Sequence, residues 1–238
     1  MRQVPNKKSS YLIIGGGRLA THLGCYFNYC SIPFTQWKRS DDTDLLPLIA
    51  DRQKILCAIS DDSLIEFIEP LKKKFPSKNY IHFSGFVHTA LAEGAHPLMT
   101  FAPQMLTLDE YKNIPFITEK EKISFSELFP ELNNPAFSIP VNEKPLYHAW
   151  CSMAGNFTSM IWIALRKQFE IWNLPVYVIK PYLSQIINNA LSNTPQVTGP
   201  MIRGDSETIK GHKKALENSI YLELYQAFEK VIQKEHMV

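Results

Sequence analysis

Tyr11-Leu12-Ile13-Ile14-Gly15-Gly16-Gly17-Arg18-Leu19-Ala20 reads as a short buried strand, a glycine turn and the first turn of a helix. It is the G-x-G-x-x-A form of the dinucleotide-binding fingerprint. Gly15 permits the tight turn, Gly17 lets backbone approach a pyrophosphate, and the small Ala20 lets the helix pack against the strand. Gly16, Arg18 and Leu19 complete the turn, and the free N–H groups at the helix N-terminus receive the phosphates. The competing reading is a plain glycine turn between strand and helix. Ile13 and Ile14 lead directly into the glycines, where the first strand of such a domain should stand, and this favours the dinucleotide.

Outward from that turn, strands and helices alternate. The pattern predicts strands at Phe34–Lys38, Lys54–Ile59 and Tyr80–Phe83, a fifth extended segment around Gly94–Thr100, and strands at Asn113–Thr118 and Ala136–Ile139. Helices are expected over Arg18–Tyr29, Asp44–Ala50 and Leu64–Lys73, the last opened by cap chemistry at Ser60-Asp61-Asp62-Ser63. This βαβ rhythm implies an α/β fold, a Rossmann-type mostly parallel sheet with helices on both faces. After Pro140 the composition changes, and Pro140-Val141-Asn142-Glu143-Lys144-Pro145 reads as a linker. Residues 1–142 are therefore expected to form the nucleotide domain and 143–238 a smaller all-helical domain. Its helices are placed at about Pro145–Ile171, Pro181–Leu191 and Ser206–Lys234, the last as one long helix or two in line.

The tip of the second strand faces the adenosine ribose in this fold. An acidic residue there suits the 2′-hydroxyl of NAD, and a basic cluster suits the 2′-phosphate of NADP. The tip is Trp37-Lys38-Arg39-Ser40, where Arg39 can fork onto a phosphate, Lys38 adds charge and Ser40 donates a hydrogen bond. This points to NADP(H). Asp41 and Asp42 follow closely and carry the NAD reading, and a solvated charged loop is the third.

From Pro145 to Leu165 there is no charged residue, yet His148, Ser152 and Asn156 recur every four residues on one helical face. A buried polar group left unpaired costs about 1–3 kcal/mol, so the stripe needs partners. It could line a cleft, with His148 as proton donor and Asn156 holding a carbonyl or carboxylate. Alternatively, neighbouring backbone satisfies it. His96-Pro97-Leu98 and Ser84-Gly85 fall at the carboxyl ends of strands, where ligands bind in open parallel sheets, and are placed on the nicotinamide side. A satisfied loop histidine is the other reading of His96, and His82, inside its strand, reads as core. In Thr198-Gly199-Pro200-Met201-Ile202-Arg203-Gly204-Asp205, Arg203 suits a carboxylate, or it pairs with Asp205 or Glu207.

The chain has 238 residues, 45% hydrophobic and 20% charged, enough for one large domain or two small ones. A net charge of +2 argues against a nucleic-acid partner. The uncharged segment is long enough to span a bilayer but too polar, so no membrane span is expected. Cys25, Cys30, Cys57 and Cys151 form no C-x-x-C pair, and a polar N-terminus runs straight into the first strand. Both fit a reducing cytoplasm. The histidines lack metal spacing, so no metal site is expected. The final helix, with Ile220, Leu224, Phe228, Val231 and Ile232 against Glu and Lys, must bury a face within the chain or across a homodimer.

Together, Gly15–Ala20, Lys38-Arg39-Ser40, Ser84-Gly85, His96-Pro97-Leu98, His148 with Asn156, and Thr198-Gly199-Pro200 through Arg203-Gly204-Asp205 resemble the short Rossmann-like NADP oxidoreductases. These are relatives of ketopantoate reductase, pyrroline-5-carboxylate reductase and the β-hydroxyacid dehydrogenases. Within them the chain is most similar to the alternative ketopantoate reductases of pantothenate biosynthesis in some bacteria. That resemblance implies an oxidoreductase that reduces 2-dehydropantoate to pantoate with NADPH, a small carboxylate-bearing substrate. It also implies His148 as donor, with Lys144 one turn earlier as a second candidate, Asn156 orienting the substrate, and Arg203 or Lys144 on its carboxylate. The usual ketopantoate reductases carry a lysine and asparagines at the spacing where this chain has His148, Ser152 and Asn156. An imine reductase of the pyrroline-5-carboxylate type and a non-catalytic NADP(H)-sensing module are the alternatives.

Overall fold

The computed structural model describes residues 11–195 and 197–235. The strand Tyr11–Ile14 (β1) is buried at all four positions. Because side chains alternate along a strand, Tyr11 and Ile13 enter one core and Leu12 and Ile14 another. A strand apolar on both faces must lie inside a sheet covered on both sides. It pairs in parallel with Phe34–Trp37 (β2) on one flank and Lys54–Cys57 (β3) on the other. Asn79–His82 (β4) and Glu93–Pro97 (β5) extend the sheet in parallel. Phe116–Glu119 (β6) then runs antiparallel to β5, and Ala136–Ile139 (β7) parallel to β6. The order is β2-β1-β3-β4-β5-β6-β7, a Rossmann-like, mostly parallel sheet whose direction of winding reverses at β1.

The helices divide between the two faces. Arg18–Tyr29 (α1) buries Leu23, Tyr26 and Phe27 in the core that holds Tyr11 and Ile13. Leu45–Asp51 (α2) and Asp61–Lys74 (α3) bury Ile49, Leu64 and Ile68 in the other. Two short helices, Leu108–Lys112 (α4) and Phe125–Leu128 (α5), each open on a capping box, Thr107 with Glu110 and Ser124 with Glu127. They return aromatic side chains (Tyr111, Phe125) to the first core.

The sheet ends at Ile139, and helix follows. The segment expected as one α-helix has three parts: Lys144–Ser152 (α6), a π-helical turn at Met153–Phe157, and Thr158–Ile171 (α7). The Thr158 N–H reaches back five residues to the Met153 carbonyl, and the Thr158 hydroxyl donates to the same oxygen at 3.2 Å. The chain divides into compact units at 1–161 and 162–238, so the boundary falls inside α7. The second unit contains Ile179–Ala190 (α8), Pro200–Arg203 (α9), Ser206–Ala215 (α10) and Tyr221–Glu235 (α11). The last two are separate helices, tied by Lys213 to Glu229 at 3.0 Å and by His212 to Tyr225 at 3.0 Å. Among the described residues no helix is long and apolar enough to cross a membrane, and no group of side chains could hold a metal ion.

Candidate functional site

The glycine turn is locked by its neighbours. The Gly15 N–H donates to the Trp37 carbonyl at 2.9 Å, and the Gln36 side-chain amide donates to the Gly15 carbonyl at 2.9 Å. Gly15 has φ +136°, and a Cβ there would stand 2.2 Å from the Ala58 carbonyl oxygen. Only glycine fits between β2 and β3 at this point. A Cβ on Gly17, by contrast, would meet nothing within 4 Å. Gly17 caps α1 without a side-chain hydrogen bond, and the first turn of α1 carries no acidic residue. Its backbone N–H groups therefore face an open cleft, which suits an anion.

That cleft has a volume of about 910 Å³. Gly15, Gly16, Gly17, Arg18 and Leu19 line it after β1, Arg39 after β2 and Ser60 after β3. Lys38 and Ser40 are exposed at the strand tip beside Arg39 but do not line the cleft. The Lys38 stem lies over Gly16. The Asp41 carboxylate turns back to accept the Lys38 backbone N–H at 2.8 Å, so it caps a local turn. Ser60 Oγ donates to Ser63 Oγ at 3.1 Å. Sequence reasoning missed the α3 wall, Glu66, Phe67, Pro70 and Leu71. Their period reads simply as an amphipathic helix, and no local signal distinguishes a cleft wall from a core face.

A second cavity, about 630 Å³, opens beyond the end of β5. His148, Ser152 and Asn156 all line it, with His96, Leu98, Met99 and Thr100 opposite. The π turn explains why the stripe holds. Four residues of α-helix overshoot a full turn by about 40°, and the wider π turn rotates the chain back. Asn156 thus returns to the His148 side. His148 and His96 stand with ring centroids 5.7 Å apart and planes nearly perpendicular. Gly85 is the floor beneath them, since a Cβ there would lie 2.5 Å from His148 Cδ2. Burial first, then the His148 and Lys144 charges, pushes the His96 imidazole down to about 4. Among the described residues, the cavity wall holds no carboxylate and no lysine or arginine.

The remaining expected residues lie elsewhere. Ser84 Oγ donates to Asp61 at 2.6 Å and accepts the Phe86 and Val87 N–H groups, so it shapes the turn after β4. Lys144 is buried, and its ammonium donates to Glu119 Oε1 at 2.6 Å and to the Val87 carbonyl. Glu119 also bonds His88 at 2.7 Å. Burial raises its carboxyl pKa, but the hydrogen bonds from Lys144 and His88 together hold it below the usual range. Lys144 therefore anchors α6 to β6; it is buried and does not line the cavity. In the second unit Arg203 pairs with Asp205 at 2.6 Å, as its surface reading had it. His82 is fully buried, as expected of core, with Nδ1 accepting the Ser84 N–H at 3.3 Å.

The family described as a domain of unknown function (DUF2520) matches residues 118–232. No curated protein matches. Among solved structures, a Bacteroides fragilis protein provisionally named an NADP oxidoreductase superposes with TM-score 0.74 at 17% identity, over 95% of this chain and 99% of that one. The imine reductase of Myxococcus stipitatus in complex with NADP+ gives 0.61 at 11% identity, over 94% and 93%. The pyrroline carboxylate reductase of Plasmodium falciparum with NADP bound gives 0.56 at 14% identity, over 93% and 98%. At these identities the likeness establishes a shared fold, a Rossmann-like sheet followed by a helical region.

Proposed function

We propose that the chain is an NADP(H)-dependent oxidoreductase that reduces a small carboxylate-bearing 2-oxo acid, with 2-dehydropantoate the first candidate. The observation that carries this reading is the placement of two cavities along one edge of the sheet. β1 to β5 are all parallel, so their carboxyl ends share that edge. The phosphate-binding turn lies at β1, and the paired histidines lie beyond β4 and β5, three strand spacings or about 14 Å away. An extended dinucleotide laid across the strand ends meets both.

The residues fit that cofactor. The bare N-terminus of α1 and the open space at Gly17 receive a pyrophosphate. Arg39 lines the cleft at the strand tip and suits a 2′-phosphate, while of the two residues that carry the NAD reading Asp41 is taken up by backbone and Asp42 does not line the cleft. The NADP-bound structural neighbours support the same choice. When bound, NADPH supplies a hydride with its electron pair to the carbonyl carbon and becomes NADP+. His148 supplies the proton that the carbonyl oxygen takes up, and Asn156 and Ser152 orient the acid from the next turns. The helical unit is read as pairing with a second copy in the cytoplasm.

The test is loss of NADPH absorbance when the purified protein meets 2-dehydropantoate. Reduction of a cyclic imine acid with no reduction of the 2-oxo acid would transfer the reading to a pyrroline-5-carboxylate type of enzyme. Tight NADPH binding with no turnover of carbonyls or imines would make it a sensor.

A further inference from the structure

Tyr147 adjoins His148 on α6, but its side chain turns toward β5. Its hydroxyl oxygen lies 2.8 Å from His96 Nδ1, and the two rings meet edge to face at 5.6 Å. His148 closes the other side of the His96 ring, and Gly85 closes the floor, where a Cβ would stand 3.1 Å from both Cδ2 and Nε2. The imidazole is therefore held by a hydroxyl, a second ring and a backbone segment. Nδ1 is occupied, and among the described residues Nε2 has no hydrogen-bond partner.

Burial and charge decide which of these groups are neutral. Burial first, then the neighbouring Cys151 thiol, raises the Tyr147 pKa, so the phenol keeps its proton. His96 stays neutral for the reasons given above, with His148 and Lys144 the charged groups that oppose its protonation. A neutral imidazole has one acceptor nitrogen and one N–H. A Tyr147 hydroxyl that donates to Nδ1, rather than to the Cys151 sulfur, places the ring proton on Nε2.

We propose that Tyr147 is a positioning residue that fixes His96 as the Nε2–H tautomer, and that His96 donates this hydrogen bond to the carbonyl oxygen of the substrate. This deepens the reductase reading and rests on it. The two histidines then divide the work. His148 gives up a proton, while His96 only donates a hydrogen bond to the oxygen as negative charge develops there. The division also selects between substrate classes. A ketone oxygen accepts a hydrogen bond. A protonated imine nitrogen carries N–H and needs an acceptor or a carboxylate, and among the described residues no carboxylate lines this cavity. The geometry favours C=O over C=N.

The experiment is nitrogen-15 NMR of the histidine side chains in the ligand-free protein between pH 5.5 and 8, assigned with His96→Gln. The wild type should show His96 neutral throughout, with the proton on Nε2. Tyr147→Phe should bring in the Nδ1–H form without changing the backbone amide spectrum. In turnover, Tyr147→Phe should lower kcat at least tenfold with KM for NADPH unchanged, and His96→Gln, which keeps a donor, should retain more activity than His96→Phe. An Nδ1–H ring in the wild type, or a His96 that titrates within this range, overturns the assignment whether or not the protein reduces anything. If the tautomer is as stated and no carbonyl is reduced, the reductase reading fails, and with it the role of His96 as donor to a substrate.

Discussion

At the scale of single residues, the proposed chemistry divides between Arg39 and His148. Arg39 lines the cleft with no carboxylate partner among the described residues, whereas Arg203 is paired with Asp205. A hydrogen bond to a charged group contributes about 1.5–3 kcal/mol, or roughly 10- to 100-fold in affinity. Arg39→Ala should weaken NADPH binding by that factor and leave NADH binding nearly unchanged, as read by fluorescence titration with both nucleotides. His148→Ala should lower kcat by about 10²–10⁴-fold while the Kd for NADPH stays constant. An equal loss of nucleotide affinity would remove His148 from the chemistry. Gly15 shows why one position can decide so much: its carbonyl and N–H are both engaged by β2, and the Ala58 carbonyl occupies the space of a side chain.

At the scale of elements, α6 is aimed by its first turn. Lys144 is fastened to Glu119 on β6 and to the Val87 carbonyl, and one turn later His148 stands over Gly85. Removing one partner of a buried ion pair leaves the other charge uncompensated and costs about 3–5 kcal/mol. Lys144→Met should lower stability to urea by about that amount, and Glu119→Gln added to it should recover part of the loss. No recovery would mean that packing of the lysine stem, rather than charge, holds the helix. The π turn acts on the same element. It brings Asn156 back toward His148, and Thr158 supports it by bonding the Met153 carbonyl.

At the scale of the whole molecule, the buried His82 and the half-buried His96 set an acid limit. His82 and His96 are both pushed down to about 4, from 6.5, chiefly by burial. Between those values the native state binds fewer protons than the unfolded chain, so stability rises with pH across the window and is lost as pH falls through it. Two such groups give a slope of up to about 2.7 kcal/mol per pH unit. Urea midpoints measured from pH 7 to pH 4.5 should fall steeply, and a flat profile would contradict the buried, neutral histidines. The helical unit makes a second prediction. Ile179 is its only buried apolar side chain among the described residues, while Tyr177, Tyr182, Ile220, Phe228 and Val231 are exposed. A segment of this size cannot be stable without a buried core, and a second copy would supply one. Light scattering should give twice 27.3 kDa, and Phe228→Asp should shift the mass toward the monomer.

The sheet, its helices and the glycine turn were legible because they are local. A strand apolar on both faces and a turn that tolerates positive φ are each written in a few consecutive residues. The stripe His148, Ser152 and Asn156 was legible for the same reason, although its alignment relies on a π turn that the 3.6-residue period does not announce. Contacts between residues distant in sequence were not legible. Lys144 meets Glu119 across 25 residues and His96 meets Tyr147 across 51. Ser84 meets Asp61 across 23. By itself the sequence determined a Rossmann-like sheet with a glycine turn and a helical continuation, since short-range sterics and periodicity are enough for that. Only the tertiary structure decided which polar side chains are free to act. It spent Lys144 and Ser84 on holding the frame and brought His96, Tyr147 and His148 together, because hydrogen-bond partners are assigned by packing in three dimensions rather than by order along the chain.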